Sequence, residues 1–132
     1  MNLNEHSESK LCYGLNESAR TILNNNVEKG FNKPEYNVGE LLMLVTSELG
    51  EALESHRKGK FSNWESFQND SNNIGELESF KLHIKDTFED EIADAVIRLL
   101  DLSARLNIDL EKQVNAKVEF NKTRPYLHGK KY

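Results

Sequence analysis

Apolar residues recur along this chain at helical spacing, in segments separated by polar and glycine-containing breaks. Leu11, Leu15, Ala19, Leu23 and Val27 follow one another at i, i+4, which predicts a helix over residues 11 to about 27. Gly30 and Pro34 then punctuate a loop. Asn37 is an N-cap candidate for a helix running from 38 to about 56. Turned at about 100° per residue, that helix gathers Val38, Leu41, Leu42, Val45, Leu49, Ala52 and Leu53 on one broad apolar face. A further helix is predicted over residues 87 to about 106, with Phe88, Ile92, Ala93, Val96, Leu99 and Leu100 inward, and Asn107 is its stop. Asp109 is the N-cap candidate for a last helix to about 121, with Leu110, Val114, Val118 and Phe120 inward, closed by Arg124-Pro125.

Between these helices, residues 58–85 lose the pattern. Asn, Ser, Gly and Phe dominate, as in Lys60-Phe61-Ser62-Asn63-Trp64 and Asn69-Asp70-Ser71-Asn72-Asn73-Ile74-Gly75. The stretch reads as an inserted, mobile loop carrying one or two short helical turns, because it is too long for a bare connection. Residues 1–8 read as a polar leader and 125–132 as a basic tail. No segment alternates with strand period. The expected fold is therefore all-α, a single domain over residues 1–132 built as an antiparallel helical bundle of four to five helices.

Within the apolar arcs sit charges that an ordinary surface helix would not place there. Glu48 projects between Leu41 and Leu44, inside the edge of the apolar stripe, and Glu51 lies at its border, while Glu54 points away. Glu48-Leu-Gly-Glu51 is an i, i+3 pair, and Glu91-Ile-Ala-Asp94 on the later helix repeats it. Glu91, Asp94, Arg98 and Asp101 line one flank of that helix. A single acidic pair is more often a solvated face. An unpaired charge in an apolar arc, however, costs several kcal/mol or shifts its pKa upward. Two such helices packed antiparallel bring four carboxylates together, and small residues (Gly50, Ala93, Ala95) permit close approach. Clustered carboxylates need a cation, and oxygen-only ligation selects a hard ion, Mg2+ or Mn2+. The bland reading of the second pair is a salt-bridged flank, with Asp94 to Arg98 and Asp101 to Arg105 at i, i+4.

The remaining chemistry is thinner. Lys117, Asn121 and Arg124 fall on one helix face or just past its end, the residue types that meet phosphate oxygens, or else a basic helix C-terminus favoured by the dipole. His56 and His83 lack ligand-spaced partners, Cys12 lacks a neighbouring base, and no phosphate-binding glycine loop is present. Phe61 and Trp64 either stack a base or pin the loop to the domain, with pinning the favoured role, and Phe31 is either a cap or a pocket wall.

Composition narrows the classes. The 132 residues carry a formal net charge of −5, which disfavours a nucleic-acid-binding surface but not a nucleotide held through metal. One cysteine, a polar start without an apolar signal core and no membrane-length apolar run give the expectation of a cytoplasmic protein without membrane association.

At its acidic pairs the chain resembles the MazG-like all-α nucleoside triphosphate pyrophosphohydrolases. That family carries an ExxE pair on one helix and an ExxD pair on a later one, here Ser47-Glu48-Leu-Gly-Glu51-Ala-Leu-Glu54 and Asp90-Glu91-Ile-Ala-Asp94. Glu28-Lys-Gly-Phe31 and the ending from Lys117 through Asn121, Arg124-Pro125 and His128 to Lys130 are also similar, so the likeness runs from about residue 24 to the end, the loop excepted. Two features depart from the family: Ser47 stands where a further glutamate is frequent, and the 39 residues between Glu51 and Glu91 exceed the usual gap.

The resemblance implies cleavage of a ribo- or deoxyribonucleoside triphosphate between the α and β phosphates, giving monophosphate and pyrophosphate, in nucleotide-pool house-cleaning. It implies that Glu48, Glu51, Glu91 and Asp94 are the catalytic, Mg2+-holding residues, with Glu48 or Glu51 as general base. Lys117, Asn121 and Arg124 would bind the triphosphate, and apolar helix surface would be buried by forming a dimer or a dimer of dimers. Two other readings remain open. One is a non-catalytic helical interaction module, which requires exposed Glu48 and Asp94. The other is a related hydrolase acting on dUTP or an alarmone.

Overall fold

A computed structural model describes residues 14–31 and 36–131. The polar leader, Leu11, Cys12, Pro34 and the side chain of His128 lie outside the described set. Among the described residues there are six α-helices and no strand: α1 (Leu15–Glu28), α2 (Val38–Arg57), α3 (Trp64–Ile74), α4 (Glu76–His83), α5 (Phe88–Arg105) and α6 (Leu110–Lys122), followed by a 3-10 turn over Tyr126–Gly129. None is long and apolar enough to cross a membrane.

Local chemistry explains the boundaries. The Asn37 side chain accepts from the Glu40 N–H at 2.8 Å and opens α2, and Thr87 accepts from the Asp90 N–H to open α5. Asp109 caps α6 by accepting from the Lys112 N–H at 3.1 Å. Asn107 stops α5 in the left-handed region (φ 52°), a conformation asparagine tolerates better than most residues.

Helix α5 is the centre. It packs against α2 on one side and α1 on the other, while α6 packs on α1. The pair α2–α5 is antiparallel, since Ser55 near the end of α2 bonds the Asp86 carbonyl before α5, whereas the earlier Glu48 meets Arg98. Asn16 ties α6 to α1. Its side-chain oxygen accepts from the Leu110 and Glu111 N–H groups, and its amide donates to Asp109 Oδ1 at 2.8 Å.

Among the described residues the buried apolar set is small: Ala19, Val45, Ala52, Ile84, Ala95, Leu100 and Leu102. This corrects the inward face expected for α5, of which only Leu100 is buried while Ile92, Val96 and Leu99 stay exposed. The seam toward its neighbours is made instead by Glu91, Ala95 and Leu102. Gly50 and Ala93 likewise face open surroundings, so Ala52 and Ala95 provide the close approach.

Helical geometry places the leftover apolar residues. At about 100° per residue, Leu42, Leu49 and Leu53 lie on one side of the Val45–Ala52 seam, with Leu41, Leu44 and Glu48 on the other. On α5, Ile92, Val96 and Leu99 lie on the corresponding side of the Ala95–Leu102 seam, with Asp94, Arg98 and Asp101 opposite. Because the helices are antiparallel, both apolar stripes share one flank of the pair and the acidic and arginine side chains share the other.

Residues 58–85 are not a loop with a turn or two but a helical hairpin of α3 and α4, which pack chiefly on each other. The polar residues that hide this from a periodicity argument build it. Asn63 caps α3 by accepting from the Ser66 N–H at 3.0 Å. The Phe67 carbonyl accepts from both Ser71 Oγ (2.6 Å) and the fully buried Ser79 Oγ (2.7 Å). His83 Nε2 pairs with Asp70 Oδ2 at 2.7 Å. Gly75 alone joins the two helices, at φ 89°, where a side chain would be strained. Trp64 packs edge-on against Phe67 within the hairpin, and Phe61 packs against His56 and Phe88, which pins the hairpin's base to the body.

The feet of the hairpin are adjacent, with the Asn63 N–H donating to the His83 carbonyl at 3.0 Å. Excision of residues 64–82 with direct joining of 63 to 83 should therefore leave the body folded, its melting temperature shifted by only a few degrees, about the effect of trimming an outlying loop. A calorimetric scan of the deletion variant checks this. Loss of the cooperative transition would show that the hairpin carries the body.

Candidate metal centre and adjoining pocket

Three carboxylates meet at the α2–α5 seam. Glu48 comes from α2, Glu91 and Asp94 from α5, and one oxygen from each lies within 4.8 Å of the others. Helix phase brings them together: Glu48 is at the border of the Val45–Ala52 seam, and Glu91 is one turn before Ala95. Glu48 and Glu91 are buried, at 7% and 5% exposure, and Asp94 is open to solvent.

Crowding and burial act on these groups in the same direction. Burial, then the charges of Glu51, Glu48 and Asp94, push Glu91 from an ordinary 4.5 up to about 7. Burial and the nearby Asp90 and Glu48 also raise Asp94, with Arg98 opposing. The cluster is thus short of positive charge. Its donors are carboxylate oxygens alone, without thiolate or imidazole, which fits a hard divalent ion such as Mg2+ or Mn2+.

Glu51 stays outside the converging set and is exposed, yet its charge is the largest electrostatic contribution on Glu91. Glu54 points to solvent and pairs with Lys58 at 3.0 Å. The expected flank pairing holds for Asp101 and Arg105, whose Oδ2 and Nε are 2.6 Å apart. It does not hold for Arg98, which reaches across to α2 and donates through Nε to Glu48 Oε1 at 2.5 Å rather than to Asp94.

Beside the carboxylates lies a cavity of about 300 Å³, with Glu48, Asp94 and Arg98 in its wall. Phe31, Tyr36, Leu41, Leu44 and Ile97 form apolar and aromatic surface, and Asn26, Asp101 and Arg105 form a polar corner. That corner is internally tied. Asn26 Nδ2 donates to Asp101 Oδ1 at 2.8 Å, and Arg105 donates to Asp101 and to the Phe31 carbonyl at 2.9 Å while lying over the Tyr36 ring. Phe31 is therefore a pocket wall.

The sequence reading missed Asn26, Tyr36 and Arg105 as lining residues. The available signal was the run 91, 94, 98, 101, 105, a polar stripe of alternating three- and four-residue steps on α5. Lys117, Asn121 and Arg124 are exposed and none lines the cavity, and α6 packs chiefly on α1. Within one chain they are not brought to the carboxylates. Lys117 lies over the Phe120 ring, 5.0 Å from its centre.

Compared with known protein families, with curated proteins and with solved structures, the chain matches none.

Proposed function

We propose that this protein is a Mg2+-dependent nucleotide pyrophosphohydrolase that cleaves a nucleoside triphosphate to monophosphate and pyrophosphate. The observation that carries the reading is the pairing of a carboxylate triad, two of its members buried, with an aromatic-walled cavity of nucleoside scale directly beside it. A cluster short of positive charge and next to an apolar cleft suits a phosphate chain bridged to protein by a hard cation, with the base lodged in the cleft. The resemblance of the two acidic pairs and the Asn121-x-x-Arg124-Pro125 ending to MazG-like enzymes selects the bond cleaved.

In this reading Glu48, Glu91 and Asp94 would hold Mg2+, or Mn2+ in its place, and a bound ion would supply charge neutralisation for a phosphate chain and a lowered pKa for water. Glu51, exposed and outside the converging set, would be the carboxylate that accepts a proton from the attacking water. Phe31 and Tyr36 offer ring surface for a base and exclude water from one side of the site. A second copy of the chain covers the apolar flank of α2 and α5, as a dimer or a dimer of dimers, and leaves the carboxylates and the cavity open on the opposite flank. The burial of Glu48 argues against an acidic interaction module, which needs that residue on the surface.

The test is a product assay. The chain is incubated with Mg2+ and a panel of ribo- and deoxyribonucleoside triphosphates, dUTP included, and products are separated by chromatography. Monophosphate with equimolar pyrophosphate is the expected result and ranks the bases. Diphosphate with orthophosphate would place the cleavage at the wrong bond. No turnover across the panel would sink the reading.

A further inference from the structure

We propose that Arg98 is a phosphate-binding residue of this site, receiving the phosphate chain on the two terminal nitrogens of its guanidinium group. The inference rests on the nucleotide-hydrolysis reading and adds a residue to it. Helix α5 carries Arg98 one turn beyond Asp94 and two turns beyond Glu91, so the three share a face. Its Nε is bound to Glu48 Oε1, and that single bond aims the planar group. No described protein group bonds its Nη1 or Nη2, and the side chain is 41% exposed and forms part of the cavity wall. A guanidinium presents parallel N–H donors whose spacing matches two phosphate oxygens.

Arg105, the other arginine of the cavity, shows the contrast. It spends Nε and Nη2 on Asp101 and the Phe31 carbonyl and is 15% exposed, so its work is to hold the pocket wall. An anion approaching three carboxylates meets repulsion unless cations stand between them. A divalent ion relieves part of it, and Arg98 is the protein cation already in place. Because Arg98 takes Glu48 Oε1, the other oxygen of that carboxylate stays available to the ion. Glu48 would then hold the ion and also act as the positioning residue for the arginine.

The experiment compares wild type, Arg98→Met and Arg98→Lys. Pyrophosphate binding is measured by calorimetry in Mn2+ buffer, and Mn2+ affinity is measured separately by electron paramagnetic resonance without phosphate. Arg98→Met should weaken pyrophosphate binding about 10- to 100-fold, the scale of losing a charge-assisted hydrogen-bond pair. Arg98→Lys, which keeps charge but not the fork, should fall between. Mn2+ affinity should hold or tighten in Arg98→Met, since a competing cation has gone. Unchanged pyrophosphate affinity in Arg98→Met, or a loss confined to Mn2+ affinity, would overturn the proposal and leave Arg98 as a support for Glu48. Turnover of triphosphates with KM unaltered in Arg98→Met would defeat the arginine alone. Arginine-dependent pyrophosphate binding without turnover would defeat the hydrolase reading and keep the arginine. Wild type that binds neither Mn2+ nor pyrophosphate would defeat both.

Discussion

Replacing Glu91 by glutamine should abolish Mg2+-induced stabilisation and lower triphosphate turnover by at least about a thousandfold, while leaving the ion-free protein as stable as wild type or more so at pH 8. Glu91 is the most buried of the three converging carboxylates, and the charges around it are acidic. Without an ion its ionised form is therefore a burden, and glutamine keeps its shape while removing the charge. With an ion present the same charge becomes a ligand. Wild type at about a hundredfold excess of Mg2+ over its dissociation constant should melt on the order of 5–10 °C higher, and the variant should not respond.

The pH dependence carries the same sign. A group whose folded pKa is raised from 4.5 to about 7 contributes stability that is fully present below pH 4.5 and is lost as pH climbs through 7. Asp94, also raised, acts in the same direction, whereas Glu89, lowered chiefly by the Ser62 N–H, acts in the opposite one. The informative quantity is thus the difference between ion-free wild type and Glu91→Gln, which should shift steadily against wild type between pH 5 and 8. Differential scanning fluorimetry with and without Mg2+ across that range measures it. A difference that does not vary with pH would mean that Glu91 is not crowded. A full Mg2+ response in the variant would mean that the ion binds elsewhere.

Legibility in the sequence followed the physics of each feature. Helices α2 and α6 were readable because the cap residues Asn37 and Asp109 coincide with the onset of a 3.6-residue period, and α5 from its period alone, its cap Thr87 being evident only in the structure. Glu48 was readable as out of place because a charge inside an apolar arc is costly. The partner of Arg98 was not readable, since Asp94 is near in sequence while Glu48 is near only after α2 and α5 pack. The α3–α4 hairpin escaped for another reason. It is held by serine, asparagine and histidine bonds, so its polar residues look like loop to any argument based on apolar spacing. The inward face of α5 was misjudged because that helix carries apolar residues on two sides, and periodicity alone cannot say which side its own chain covers.

The uncovered side of α5 sets the second large effect. Val96→Glu, and separately Leu49→Glu, should convert an assembled protein into monomer. On an isolated chain both positions are about half exposed, at 46% and 50%, and a glutamate there would change stability by no more than about 0.5 kcal/mol. On a flank built from Leu42, Leu49 and Leu53 of α2 with Ile92, Val96 and Leu99 of α5, and buried against a second copy, the outcome differs. A two-fold interface presents the same patch twice, so one substitution introduces two charges into an apolar contact, each stripped of water. A desolvation cost of several kcal/mol counted twice exceeds what a contact of this kind supplies beyond its own ordering costs. Sedimentation velocity at micromolar concentration should show wild type as dimer or larger and each variant as monomer, with helicity retained. Monomeric wild type would remove the second copy from the functional reading. The acidic triad and its cavity would remain, because both lie on the opposite flank of α2 and α5.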